Sequence, residues 1–76
     1  MNLRQIEAFL AVFEEGTFSA GAARLKVSQP TVSKLVDALE RTLGYKLFRR
    51  AGARVTPTDQ GFARFASLRS RNLLRG

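Results

Sequence analysis

The chain has 76 residues and 45% hydrophobic content, which is one small domain near the lower limit for an unaided core. The absence of Cys and His excludes a disulfide framework and a thiolate site, and removes the commonest metal ligand and the usual general base. A formal net charge of +7, with no apolar run of about 18 residues and no signal-peptide core, points to a soluble intracellular domain with a polyanionic partner, either nucleic acid or an anionic membrane.

The charge is unevenly placed. Residues 1–15 hold three acids (Glu7, Glu14, Glu15) against Arg4, whereas Arg41 to Arg54 hold five bases and no acid. A merely solvated surface would also tolerate such asymmetry, so charge alone does not settle the partner.

Asn2, with Gln5 three residues later, makes a capping-box pattern for a first helix. Leu3, Ile6, Phe9, Leu10, Val12 and Phe13 recur at helical spacing until Gly16 ends the run. This helix reads as scaffold and its Phe residues as core. Thr17-Phe18-Ser19 restarts a helix, with Ser19 the expected N-cap and Phe18 a hydrophobic staple. Ala20, Gly21, Ala22 and Ala23 follow, small enough for the close helix approach of a helix-turn-helix. Gly21 costs roughly 1 kcal/mol of helix propensity relative to Ala, so close packing or backbone access to phosphate should offset it. Lys26-Val27 then form the turn into Ser28.

The stretch from Ser28 to Gly44 is the centre of the sequence. Ser28 is a good N-cap, Pro30 falls in the first turn, and Gly44 supplies the C-terminal stop. At ~100° per residue, Val32, Leu35, Val36, Leu39 and Leu43 fall within an arc about 100° wide and form a core-facing stripe. The opposite arc carries Pro30, Lys34, Asp37 and Arg41, flanked by Gln29 and Ser33. Its first two turns offer amide, hydroxyl and ammonium groups, while the carboxylates of Asp37 and Glu40 come later. Carboxylates repel phosphate, so only the N-terminal half suits a DNA groove, as a recognition helix requires.

Tyr45 to Arg50 reads as a short strand, Ala51-Gly52-Ala53 as a turn, and Arg54-Val55-Thr56 as a return strand stopped by Pro57. This hairpin carries Arg49, Arg50 and Arg54, whose guanidinium groups can meet phosphates or enter a narrow minor groove. The alternative is a basic hairpin whose charges are simply solvated. Thr58, or Thr56, caps a last helix with Asp59 in its first turn. Phe62, Phe65, Ala66 and Leu73 give it an apolar stripe interrupted by Arg69.

Phe18, Ala22, Ala23, Leu25, Val27-Ser28-Gln29-Pro30, Val32-Ser33-Lys34, Val36, Leu39-Glu40, Leu43-Gly44, Leu47-Phe48 and Arg50 together resemble the DNA-binding domain of LysR-type transcriptional regulators. Asn2-Leu3-Arg4-Gln5-Ile6, Phe9, Thr58 and Gly61 fit the same pattern, so the likeness covers about residues 1–62. It implies a mainly α fold: a winged helix-turn-helix with a three-helix core and a short two-stranded β wing, followed by a linker helix. It divides the chain into a DNA-binding domain over residues 1–57 and a linker or dimerisation helix over residues 58–76. In that family the helix around Gln29 enters the major groove, the wing meets the flanking minor groove, and the linker helix dimerises the protein. Phe62, Phe65 and Leu73 are then the dimer contacts, although such a Phe-rich terminal helix more often docks on its own core.

Some positions depart from the family. Lys34 stands where Arg is common, giving a point charge instead of a bidentate fork. Ala20 and Ala23 replace residues that are often charged, Thr56-Pro57 replaces a more strand-like pair, and Arg49 occupies a position that is often acidic, which sets it apart from Arg50 and Arg54 as the leading contacts of the hairpin. The family carries a much larger effector-binding domain after the linker helix. This sequence, whose residues 67–76 leave the family pattern, reads as truncated before that domain or as having an altered C-terminus.

The functional expectation is sequence-specific binding of double-stranded DNA by a bacterial regulator, as a homodimer on a dyad-symmetric site. Gln29, Pro30, Thr31 and Ser33 would face base edges, with Gln29 suited to adenine and the Thr31 methyl and Pro30 to a thymine methyl, hence an A/T-containing operator. Ser28, Lys26, Lys34, Arg50, Arg54 and Arg49 would position the backbone and grooves. No catalytic residue, metal site or cofactor is expected: Ser28 and Asp59 are better explained as caps than as catalytic groups. A small-molecule effector is expected only for a full-length protein, and location in the bacterial cytoplasm at the nucleoid follows. A protein-interaction module that never touches DNA is the other reading, against which the charge argues. RNA binding lacks an exposed aromatic platform among the basic residues.

Overall fold

A computed structural model describes the backbone of residues 1–75 and the side chains of residues 1–70. Helix α1 spans Leu3–Glu15. Its capping box is closed: Asn2 Oδ1 accepts from the Gln5 amide at 2.9 Å, and Gln5 Oε1 accepts from the Asn2 amide at 3.2 Å. Gly16, at φ 87°, ends it in the left-handed conformation, where Gly has no Cβ penalty.

Helix α2 spans Phe18–Leu25 and begins two residues earlier than expected. Thr17, not Ser19, is its N-cap, with Oγ1 accepting from the Ala20 amide at 2.9 Å. Phe18 is therefore the first helical residue and is buried in the core instead of stapling from outside. The physical reason is tertiary: Thr17 also bridges to Arg54 of the hairpin, which fixes it in extended geometry just before the helix. Helix α3 spans Gln29–Leu43, with Ser28 Oγ accepting from the Thr31 amide at 3.2 Å and Gly44 capping at φ 84°.

Phe9, Val12, Val32, Val36, Leu39 and Leu47 are fully buried, and the three helices close around them with Phe18, Ala22 and Phe48. Burying each large apolar side chain contributes about 1.5–3 kcal/mol. Leu35 and Leu43 of the anticipated α3 stripe are only partly buried, at its margins. Gly21 serves close packing: a Cβ there would lie 2.9 Å from Val12 Cγ2 and 3.1 Å from Val12 backbone.

Strand β1 (Phe48–Ala51) pairs antiparallel with β2 (Arg54–Pro57), Arg50 opposite Val55 and Ala51 opposite Arg54. The strand expected from Tyr45 starts only at Phe48, because the backbone before it is engaged elsewhere. The Leu47 amide donates to Glu40 Oε2 at 2.7 Å, and the Leu47 carbonyl accepts from the Thr58 amide at 3.0 Å. The Val55 amide donates to the Gly16 carbonyl at 3.1 Å, which ties the hairpin to the α1–α2 turn.

Thr58 resolves the choice of cap for α4 (Asp59–Arg75): its Oγ1 accepts from the Gly61 amide at 3.0 Å and donates to the Lys46 carbonyl at 2.6 Å. The α4 stripe is divided. Phe65 and Leu68 pack against the core, with Phe65 stacked on Phe13, whereas Phe62 is 62% exposed and Ala66 is exposed. Leu73 lies outside the residues whose side chains are described. Among the described residues no helix is long and apolar enough to cross a membrane.

Candidate nucleic-acid interface

The first turn of α3 presents Gln29 and Pro30 to solvent, with Lys34 exposed one turn later. Ser28 positions that turn through its cap, and its hydroxyl also shares a 2.8 Å hydrogen bond with Thr31 Oγ1. Both hydroxyls are thus tied to the helix end, and Thr31 and Ser33 are only partly exposed. The expected reading edge therefore has two parts. Gln29 and Pro30 stand clear, and Thr31 and Ser33 lie at the flank.

Lys26 closes α2 at φ 60°, the only described non-Gly residue in the left-handed region. Its amide donates to the Ala22 and Ala23 carbonyls, so the tight turn, and not the side chain, dictates this backbone. The turn leaves Lys26 exposed immediately ahead of Ser28.

Strand pleating sorts the hairpin arginines. Alternate residues of a strand point to opposite faces, and directly paired residues share one. Phe48 and Arg50 on β1 share a face with Val55 and Pro57 on β2, and Phe48 is buried against the core. Arg49 and Ala51 share the other with Arg54 and Thr56, all exposed. The sequence expectation grouped Arg50 with Arg54 and set Arg49 apart; the register instead groups Arg49 with Arg54.

Arg50 has intramolecular partners. Its Nη2 donates to Asp37 Oδ1 at 2.7 Å, and its guanidinium lies 4.5 Å from the Phe18 ring centroid. Lys26, Lys34, Arg49 and Arg54 make no ion pair with any described residue, so their charge is uncompensated at short range. Other cations have structural partners. Arg24 on α2 pairs with Glu14 and, at 3.6 Å, with Glu15; the hydrogen bond to Glu14 is the largest influence raising its pKa above the usual arginine value. Arg69 on α4 reaches the other Glu14 oxygen at 3.3 Å, and Arg64 donates twice to the Tyr45 hydroxyl at 3.0 and 3.2 Å.

Glu40 has a role that escaped the sequence reading, which set the residue among the carboxylates kept out of the groove and quoted it in the family pattern without a function. It is 6% exposed, and its Oε2 accepts from the Leu47 amide at 2.7 Å and the Phe48 amide at 3.4 Å, with Lys46 Nζ 3.7 Å from its other oxygen. It pins the root of the hairpin to α3. The available signal was its position beside Leu39, next to the apolar stripe. No group of three or more His, Cys, Asp or Glu able to hold a metal occurs among the described residues.

A three-helix core, a tight turn between α2 and α3, and a two-stranded hairpin carrying free cations define a winged helix-turn-helix domain. The comparisons with known proteins narrow this further. The family model for the bacterial regulatory helix-turn-helix protein, lysR family, matches residues 3–62. The chain belongs to that family, as the helix-turn-helix domain of a LysR-type transcription regulator. It is 45% identical over 65 residues to the transcriptional activator protein LysR of Escherichia coli (strain K12), covering 86% of this chain and 21% of that protein. It is also 45% identical over 60 residues to the HTH-type transcriptional regulator DgcR of a Pseudoalteromonas species, covering 79% of this chain and 21% of that protein. These relatives are regulators, not enzymes, and the chain spans about a fifth of their length. Among solved structures, the CbnR DNA-binding domain in complex with DNA matches at TM-score 0.91 and 38% identity, covering 100% of this chain and 87% of that one. The BenM DNA-binding domain on benA site 1 DNA matches at TM-score 0.85 and 33% identity, covering 99% and 82%.

Proposed function

We propose that the chain binds double-stranded DNA sequence-specifically, with the N-terminal half of α3 in the major groove and the hairpin at the flanking minor groove. The observation that carries this is the arrangement of one exposed helix turn, Gln29 and Pro30, with four cations that no described carboxylate neutralises: Lys26, Lys34, Arg49 and Arg54. Gln29 reads adenine, and Pro30 with the Thr31 methyl packs on thymine methyls, which favours an A/T-containing site. Ser33 faces base edges at their flank, Ser28, Lys26 and Lys34 hold the helix on the backbone, and Arg54 with Arg49 supplies the wing's contact.

In this reading two copies associate through α4, using the exposed Phe62, and reach half-sites about one helical turn apart on a dyad-symmetric operator. The protein acts in the bacterial cytoplasm at the nucleoid, and a small-molecule effector belongs to a full-length regulator. Selecting duplexes from a random pool and titrating the winner with Gln29→Ala and Arg54→Ala tests the assignment. Gln29→Ala should relax preference at one position by about 1–3 kcal/mol, while Arg54→Ala should weaken all sequences alike and lower the salt slope by ~1. Parental binding by both variants refutes the helix and wing assignments.

A further inference from the structure

Asp37 and Arg50 both line an open groove of about 750 Å³ between α3 and the root of the hairpin, together with Glu40, Arg41, Gly44, Tyr45 and Lys46. Their contact is single, Nη2 to Oδ1 at 2.7 Å, and both side chains are nearly half exposed, at 45% and 43%. Among the acids of this groove, Glu40 is already occupied by the Leu47 and Phe48 amides and by Lys46. Asp37 is thus the carboxylate that balances Arg50.

Two separate contacts hold the guanidinium. Phe18 lies 4.5 Å beneath it and fixes its place, while Asp37 cancels its charge. An ion pair this exposed is weak enough for a competing phosphate to break. While Asp37 holds the guanidinium, a phosphate has to displace the carboxylate before it gains the charge of Arg50, which offsets much of the attraction. Asp37 lies eight residues beyond Gln29, ~12 Å along the helix at 1.5 Å per residue, roughly one Debye length at 0.1 M salt. Its charge therefore acts on the backbone contact and not on base reading.

We infer that Asp37 is a positioning residue for Arg50 that attenuates sequence-independent DNA binding by neutralising one wing-root cation. The inference rests on the DNA-binding reading and adds to it a residue opposing binding. Removing the carboxylate's charge leaves Arg50 on Phe18 but frees it for phosphate. One further neutralised phosphate steepens the salt dependence by roughly 0.9 in log–log slope. That slope corresponds to about a threefold larger change in affinity between 50 and 200 mM salt.

The test measures binding of a random-sequence duplex and of a selected operator across 50–200 mM salt, for the parent, Asp37→Asn, Arg50→Gln and the double variant. Asp37→Asn should steepen both slopes by ~0.9 per subunit, so that each subunit tightens binding about threefold at 50 mM relative to 200 mM salt, and leave base preference unchanged. In the Arg50→Gln background it should do nothing, and Asp37→Glu should restore the parental slope. A gain that persists without Arg50 overturns the inference in favour of direct repulsion. Weaker binding or an unchanged slope overturns it outright, and thermal melts verify that every variant is folded. A parent that binds neither duplex refutes the DNA-binding reading instead.

Discussion

The Phe65 ring on α4 lies parallel to the Phe13 ring on α1, with centroids 3.8 Å apart and planes 4° from parallel. Together with the Glu14–Arg69 pair it docks the first half of α4 on the helical core. Phe62, three residues earlier, meets Phe13 only edge-on at 5.9 Å and remains 62% exposed. The two phenylalanines of one stripe therefore have different roles. Phe65→Ala should lower unfolding stability by about 2 kcal/mol, less than the 3–5 of a fully buried Phe. Phe62→Ala should stay within about 0.5 kcal/mol of the parent. Sedimentation at micromolar concentration should show the reverse order, with Phe62→Ala dissociating more. Unchanged association of Phe62→Ala would exclude this face from the proposed self-association.

Glu40 makes a second prediction. Replacing it by Ala leaves the Leu47 and Phe48 amides, both on buried residues, without their carboxylate acceptor. An orphaned buried donor costs about 1–3 kcal/mol, so Glu40→Ala should be among the most damaging substitutions of a charged residue. Glu40→Gln keeps an acceptor oxygen and should lose only about 1 kcal/mol. Lys46, whose side chain is 78% exposed, should be nearly neutral to truncation. Denaturant midpoints rank the three, and amide exchange at Leu47 should accelerate in Glu40→Ala alone.

Much of this architecture was legible in the residues because it is locally encoded. The Asn2–Gln5 capping box, the Ser28 cap, Gly16 and Gly44 as stops and the Val32–Leu39 stripe each depend on neighbours within four residues. The errors arose where a distant segment decides. Thr17 won over Ser19 because β2 bridges to it, and the first strand lost Tyr45 to Leu47 because Glu40 and Thr58 hold that backbone. The same holds at the interface. Gln29 and Pro30 stand where helical periodicity put them, but the partition of Arg49, Arg50 and Arg54 follows from strand register, which the sequence does not state. The Asp37–Arg50 pair spans thirteen residues and two elements, so no local pattern reveals it.

At Gly61, α4 passes close against the backbone at the root of the hairpin. A Cβ at this position would overlap the Leu47 carbonyl oxygen, a clash with backbone that no rotamer relieves. Gly21 is less severe, because its nearest neighbour is the Val12 side chain and Ala would gain roughly 1 kcal/mol of helix propensity. Gly61→Ala should therefore destabilise by about 3 kcal/mol or more, and Gly21→Ala by about 1–2. At ~4–8 °C per kcal/mol for a domain of this size, calorimetry separates them readily. Equal melting temperatures would mean that α4 shifts freely on the core, contrary to the Thr58 and Phe65 contacts.

Lys26 sets stability against binding at one position. Its φ of 60° places a β-carbon-bearing residue in the left-handed region, a strain of about 1–2 kcal/mol that Gly does not experience. Glycine also loses more backbone entropy on folding, so the net gain from Lys26→Gly should be under about 1 kcal/mol. The same change removes an exposed cation next to the reading turn and should lower the salt slope of DNA binding by ~1. A variant that melts higher yet binds more weakly at low salt separates the two contributions. Lys26→Asn, which tolerates the left-handed region but carries no charge, should lose the same binding and so isolate charge from backbone. If both variants bind with parental slope, Lys26 is a turn residue alone, and its charge does not contribute to the interface.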